Sequence, residues 1–187
     1  MCFYITATLP KDVNLEEFYE IFEQFKMSFI PIKNSEILHY LHSGEQYLRA
    51  TKSYCDCDTV LGSLDTTPQI SELKNSKKVK KLKQKKWTEE QIQKWIENKI
   101  KQKKTKSKLT PIEQDLELEN WMKFLSYLLS KKNISRVGLL KHWYHQSLEK
   151  EEIIIKRKEK INIDKLNKQD LLHMEEDVIY EFFRAAL

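Results

Sequence analysis

The chain has few residues of the types that build tight turns, and it has no long apolar segment. Its 187 residues include only 3 glycines and 4 prolines, which argues against a β-sandwich and favours helices with a few strands. No apolar run approaches the roughly 20 residues that a membrane span requires. A glycine-rich phosphate-binding loop and a serine nucleophile elbow are also missing from the sequence, so nucleotide binding and serine hydrolysis are not indicated.

Cysteine is also scarce, and its count is odd. Cys2, Cys55 and Cys57 are the only cysteines in the sequence. Met1 is followed at once by a strand-like segment, where a signal sequence would have a basic and then a long apolar stretch. We therefore expect a cytoplasmic protein without a membrane partner, whose thiols stay reduced.

Positive charge is concentrated in one part of the chain. Residues 74–108 contain fifteen lysines and three acids, a net charge of +12 in a chain whose total is +5, so the other residues carry −7. Long runs of one sign are typical of segments that bind a partner of opposite charge. We call residues 67–109 the basic arm, and we expect residues 1–66 and 110–187 to form the two parts of one domain.

Residue periodicity predicts both strands and helices in that domain. β-Branched and aromatic residues indicate strands at residues 2–9, 29–32, 46–51, 136–144 and 153–158. Capping residues and apolar spacing indicate helices after Asn14, over 36–41, from Pro111 to about Lys132 and over 168–184. We predict an α+β fold: a mostly antiparallel sheet of about four to five strands, helices packed on one face, and a protruding lysine-rich helical arm.

The basic arm includes an amphipathic helix among its lysines. Thr88 and Gln91 have the spacing of a capping box, and Ile92, Trp95 and Ile96 share one helix face. Lysines bind phosphates through the release of condensed counterions, and tryptophans can stack on single-stranded bases. The predicted nucleic-acid-binding residues are Lys77, Lys78, Lys80, Lys81, Lys83, Lys85, Lys86, Trp87, Trp95, Lys101, Lys103, Lys104, Lys106 and Lys108.

Two other roles fit the basic arm. It could dock on an acidic protein, as an interaction or inhibitor module, or it could be a solubilising helix whose apolar face packs on the rest of the protein. The sequence has no helix-turn-helix, zinc-finger or RNP-type motif. Sequence-specific recognition of nucleic acid is therefore not predicted.

The cysteines form a second candidate site. Cys55 and Cys57 follow one predicted strand, and Cys2 begins another. If these strands are neighbours the three thiols meet, and His39 or His42 could supply the fourth ligand of a tetrahedral Zn²⁺. Buried thiols without a metal are the simpler interpretation.

A thiol- or zinc-dependent enzyme is the third functional hypothesis. A helix beginning near residues 58–59 would place Cys57 at its N-terminus, where the helix dipole favours the thiolate. The two adjacent carboxylates raise the pKa of a thiol, so the two effects roughly cancel. The Met1-Cys2 start is similar to that of the N-terminal-nucleophile amidotransferases, but Phe3 stands where they have glycine, so we infer no such activity. His142 and His145 would lie on opposite faces of a strand, so they predict no joint site. We expect a binding protein without catalytic activity.

Overall fold

The structure is a computed structural model that describes residues 2–62, 77–85, 87–104 and 109–185, without the side chains of residues 77, 78 and 99–104. The chain divides into two compact units. The first, which we call the body, comprises Met1–Ser63 and Pro111–Leu187. The second comprises Leu64–Thr110 and contains the whole range of the basic arm.

A six-stranded sheet forms the centre of the body. Its strands are β1 (Cys2–Pro10), β2 (Met27–Pro31), β3 (Glu45–Thr51), β4 (Arg136–Tyr144), β5 (Arg157–Asn162) and β6 (Val178–Phe183). They lie in the order β2-β3-β1-β4-β6-β5. Every neighbouring pair is antiparallel except β5 and β6, which are parallel. The α+β class is confirmed, but the sheet is mixed and has six strands where about four to five were predicted.

The helices of the body are mostly short. They are α1 (Tyr19–Gln24), α2 (Ser35–Leu38), α5 (Pro111–Leu128) and α6 (Lys168–Leu172), and the second unit contributes α3 (Lys77–Gln84) and α4 (Glu89–Lys104). Asn14 caps the 3-10 turn that leads into α1, since its side-chain oxygen accepts a hydrogen bond from the Glu16 amide. None of the helices in the described ranges has both the length and the apolar character to cross a membrane.

The C-terminal part of the body differs most from the prediction. A helix over 168–184 is wrong: α6 ends at Leu172, and β6 occupies Val178–Phe183. Asp177 has a φ of 65°, which no helix accommodates, and the aromatic and β-branched residues after it suit a strand. The strand predicted at residues 153–158 is also misplaced, because β5 begins at Arg157 and pairs with β6, not with β4.

Both faces of the sheet are covered. Alternate residues of β1 point to opposite faces, and Ile5 and Thr6 are both fully buried. Ile37 of α2 joins the core on the face of Tyr47 and Tyr144. The buried residues of this cluster are Ile32, Ile37, Tyr47, Leu140, Tyr144, Ile153 and Ile179.

Candidate nucleic-acid interface and cysteine cluster

The second unit contains a pair of helices with a local turn between them. Trp87 donates its backbone N–H to the Leu82 carbonyl (3.2 Å), beyond the end of α3. At the start of α4, Gln91 donates its backbone N–H to the Thr88 hydroxyl (3.2 Å), and Thr88 donates its own to the Gln91 side chain (2.9 Å). The predicted capping box is therefore confirmed, and it fixes where α4 begins.

The apolar residues of the two helices form one cluster. Val79, Leu82, Ile92 and Ile96 are buried in it, and Trp95 packs against it. Helix α3 was not predicted, because seven lysines between residues 77 and 86 obscure the spacing of Val79 and Leu82. The three-residue spacing of Val79 and Leu82 was the feature of the sequence that could have predicted this helix.

The two tryptophans of the arm differ in environment. Trp95 is half-buried against the apolar cluster, so it anchors the helix pair. Trp87 lies between the helices and keeps 40% of its surface exposed. Trp87 is therefore the one of the two that retains a substantial free surface for stacking.

The described lysine side chains of the arm are exposed to solvent. They belong to Lys80, Lys81, Lys83, Lys85 and Lys94. Two of them have acidic partners within the arm: Lys83 with Glu89 (2.7 Å) and Lys94 with Glu90 (4.0 Å). Within the described part of the chain, the other three have no acidic partner.

For the other predicted binding lysines, the structure describes the backbone alone or the residue lies outside the described ranges. Lys77, Lys78, Lys101, Lys103 and Lys104 lie in α3 and α4, but their side chains are not among those described. Lys86, Lys106 and Lys108 lie outside the described residues.

The three cysteines come together at the end of the body sheet where β1 begins. Strands β1 and β3 are antiparallel neighbours, with Thr6 opposite Arg49, so the chain leaving β3 runs back along the start of β1. The sulfur atoms of Cys2, Cys55 and Cys57 all lie within 4.8 Å of one another. The condition set by the sequence prediction, that these strands are neighbours, is met.

Asp56 fixes the loop that carries two of these thiols. Its carboxylate is fully buried and accepts the Ile5 N–H and the Thr51 hydroxyl, each at 2.7 Å. Its backbone N–H donates to the Phe3 carbonyl (2.8 Å), and the Phe3 N–H donates to the Cys57 sulfur (3.3 Å). Burial raises the pKa of the Asp56 carboxyl to about 6. The loop therefore continues the hydrogen bonding of β1 beyond the end of β3.

Gly62 closes the same loop. A Cβ atom at this position would lie 2.0 Å from the Asp56 carbonyl oxygen, so only glycine fits. Its N–H donates to the Thr59 hydroxyl (3.2 Å), which itself donates to that carbonyl (2.9 Å). Thr59 and Gly62 thus fix the backbone of Asp56, while Ile5 and Thr51 fix its carboxylate.

The thiols differ in acidity. The pKa of Cys55 is lowered, because the Cys57 backbone N–H and the neighbouring thiols donate hydrogen bonds to its sulfur. Burial and the adjacent cysteines raise the pKa of Cys57 to about 11. Within the described residues no helix directly follows Cys57, because residues 52–62 form turns and bends. All three cysteines are free and half-buried.

The histidines predicted as further ligands are not in this cluster. His39 follows α2 and is exposed. His42 contacts Glu181 of β6 through its Nε2 atom, at 2.7 Å. Among the described residues, no histidine or carboxylate ligand joins the three sulfurs.

A second group of possible ligands surrounds His142. Its Nδ1 atom lies 2.6 Å from Asp177, and Glu176 is part of the same group. Lys156 places its ammonium group 3.1 Å from Asp177, so a cation already balances this carboxylate. Burial alone would raise the pKa of Asp177, but the hydrogen bonds from His142 and Lys156 lower it. His145 lies beyond the end of β4 and is exposed.

Both candidate sites are defined by the contacts and charges of this chain's own residues. Three of the four predicted metal ligands meet, and the exposed lysines lie on a helix pair that buries its own apolar residues. Comparisons with protein-family models, with curated proteins and with solved structures found no match.

Proposed function

We propose that the protein is a non-catalytic nucleic-acid-binding protein, and that its basic arm contacts phosphate groups without strong sequence specificity. The observation that carries this proposal is the combination of +12 net charge over residues 74–108 with exposed lysines on a helix pair whose apolar residues are buried. Lysines placed in this way gain their binding energy from counterion release, which requires no base contact.

The state of the ammonium groups supports the same proposal. Had the arm lysines been neutralised by carboxylates, little charge would remain to attract a polyanion. Lys80, Lys81 and Lys85 have no acidic partner among the described residues, and the pairs of Lys83 and Lys94 are exposed. Exposed pairs contribute only about 0–1 kcal/mol each, so a phosphate can compete for those lysines.

The tryptophans favour an additional contact with single strands. Trp95 supports the helix pair, whereas Trp87 keeps 40% of its surface free. Stacking of one base on an aromatic side chain is worth about 1–3 kcal/mol. We therefore expect single strands to bind at least as well as duplexes, and Trp87→Ala to remove that advantage.

The test is binding of fluorescent single- and double-stranded oligonucleotides, measured by anisotropy across a range of salt concentrations. Wild-type protein is compared with Lys80→Gln/Lys81→Gln/Lys85→Gln. Each phosphate contact contributes about 0.7–0.9 to the slope of log K against log salt, so the triple variant should lose about 2 to 3 from that slope.

The matched control changes the same number of charges elsewhere. Lys11, Lys33 and Lys150 are exposed lysines of the body, and their triple glutamine variant should retain the wild-type slope. Equal losses in both variants would mean that net charge, not the arm, controls binding. No binding to either oligonucleotide at low salt would refute the proposal.

The alternative partner, an acidic protein, has its own outcome in this test. An arm that retains a protein from nuclease-treated lysate, and that binds no oligonucleotide, would favour the docking module.

An enzyme based on the cysteines stays a prediction, to be tested by selective alkylation of one thiol at neutral pH.

A further inference from the structure

The cysteine cluster has the geometry of a metal site, and it consists of residues other than those that carry the proposed function. We propose that Cys2, Cys55 and Cys57 bind one Zn²⁺ ion as thiolates. In a tetrahedral site with Zn–S bonds of about 2.3 Å, two sulfur atoms lie about 3.8 Å apart. The three sulfurs here lie within 4.8 Å of one another, so shifts of about an ångström or less would complete the coordination.

The backbone holds these thiols in place independently of any ion. Cys2 is the first residue of β1, and its pairing with Tyr144 of β4 fixes its position. Cys55 and Cys57 lie on either side of the buried Asp56, which ties the loop to β1 and to Thr51. A pre-formed ligand set loses little conformational entropy when a metal binds.

The loop separates the sulfur ligands from the carboxylate. The sulfur atoms of Cys55 and Cys57 meet that of Cys2, whereas the carboxylate of Asp56 turns to Ile5 and Thr51. Both oxygens of Asp56 are used by Ile5 and Thr51, and Asp56 is not in the group of potential ligands. The donor set is therefore three sulfurs, which suits Zn²⁺ and other thiophilic ions and not Mg²⁺ or Ca²⁺.

The interaction between the three thiols depends on their charge state. As thiolates they repel one another, and a divalent cation removes that repulsion. As neutral thiols they share hydrogen bonds at the Cys55 sulfur, but they are half-buried and not enclosed in the core. Their partial exposure gives an ion in solution a path to the sulfurs.

The coordination sphere leaves one position for a ligand from outside the cluster. Zinc with three protein ligands takes water or an exchangeable ligand in the fourth position, whereas closed structural sites use four. No fourth histidine, cysteine or carboxylate joins the group in the described part of the chain. The predicted ligand His39 is exposed at the end of α2, and we expect it to remain outside the site.

The experiment is a titration of reduced, metal-free protein with Co²⁺ under nitrogen, followed by displacement with Zn²⁺. Thiolate–cobalt bonds give intense near-ultraviolet charge-transfer absorption, which should saturate at one ion per chain and disappear when Zn²⁺ is added. Because the chain has no other cysteine, the number of thiols that react with a disulfide reagent should fall from three to none on zinc loading.

The variants locate the site. Cys2→Ser, Cys55→Ser and Cys57→Ser should each lose most of the charge-transfer absorption, whereas His39→Ala and Tyr54→Ala should retain it with unchanged stoichiometry. Tyr54 is the control for disturbance of the loop, since it is 89% exposed and adjacent to Cys55. Far-ultraviolet circular dichroism of the metal-free variants separates loss of a ligand from loss of the fold.

Three results would overturn the proposal. The first is wild-type protein with three reactive thiols that gives no charge-transfer band at equimolar Co²⁺. The second is a band that persists in all three serine variants. The third is zinc loading that leaves the thiols reactive. None of these results depends on the oligonucleotide assay, so failure of the metal site and failure of the proposed function are distinguishable.

Discussion

Replacing Asp56 tests the contact that joins the cysteine loop to the sheet. Its two carboxylate oxygens accept hydrogen bonds from the Ile5 N–H and the Thr51 hydroxyl at 2.7 Å. Asp56→Ala leaves both donors buried without an acceptor, whereas Asp56→Asn keeps one oxygen for Ile5 and offers an N–H to the rotated hydroxyl of Thr51.

The magnitude follows from the cost of unpaired donors. A buried donor without a partner costs about 1–3 kcal/mol, and the hydroxyl can turn to recover part of its loss. Asp56→Ala should therefore lower the free energy of unfolding by about 2–4 kcal/mol, and Asp56→Asn should stay within about 1 kcal/mol of wild type. Asp12→Ala, at an exposed position of the body, should change it by less than about 0.5 kcal/mol.

The assay is urea denaturation at pH 8 with reductant and a chelator, so that no metal contributes. At this pH the carboxyl, with a pKa of about 6, is ionised and both oxygens act as acceptors. Equal losses in the alanine and asparagine variants would contradict the argument, because the two differ in hydrogen bonding. So would an alanine variant as stable as wild type.

Three further perturbations test the packing, the charges and the arm. A Cβ at Gly138 would lie 2.3 Å from the Thr8 hydroxyl oxygen, so Gly138→Ala should cost about 1–3 kcal/mol in thermal unfolding, and clearly less in a Thr8→Ala background. The lowered pKa of Asp177 means that its ionised form stabilises the fold above the unfolded pKa of about 4 and that this stability is lost as pH falls through the still lower folded pKa. The melting temperatures of wild type and Asp177→Asn should therefore converge as pH falls from about 5 to about 2, and a constant difference would contradict the assignment. Trp95→Ala should reduce arm helicity and speed tryptic cleavage there, whereas Trp87→Ala should change neither. Equal effects of the two would show that Trp95 is not the anchor.

The elements that local interactions define were predictable from the sequence. The capping box of Thr88 and Gln91 joins residues three apart, and its two hydrogen bonds are present in the structure. The start of α5 at Pro111 and the apolar stripe through Leu118 and Trp121 follow for the same reason. Each of these signals is complete within a few residues, so no distant segment has to be known.

The errors lie where two local patterns compete. Leu171, Met174, Val178 and Phe182 have helical spacing, but only Leu171 is in a helix. Beyond Asp177 the chain enters the sheet between β4 and β5, and there strand pairing on both sides outweighs the helical spacing. The parallel pairing of β5 with β6 could not be predicted from the sequence either, because strand order is not a local property.

For the candidate sites, residue types alone give the chemistry available: a charge of +12 over residues 74–108, and three cysteines. Which of these groups meet depends on strand pairing and helix packing. The pairing of β1 with β3 brings Cys2 to the other thiols and leaves His39 apart, and the packing of α3 on α4 turns Trp95 inward while Trp87 stays partly exposed. The order of residue types is a property of the sequence, whereas a contact between residues 2 and 55 depends on which strands pair in the folded protein.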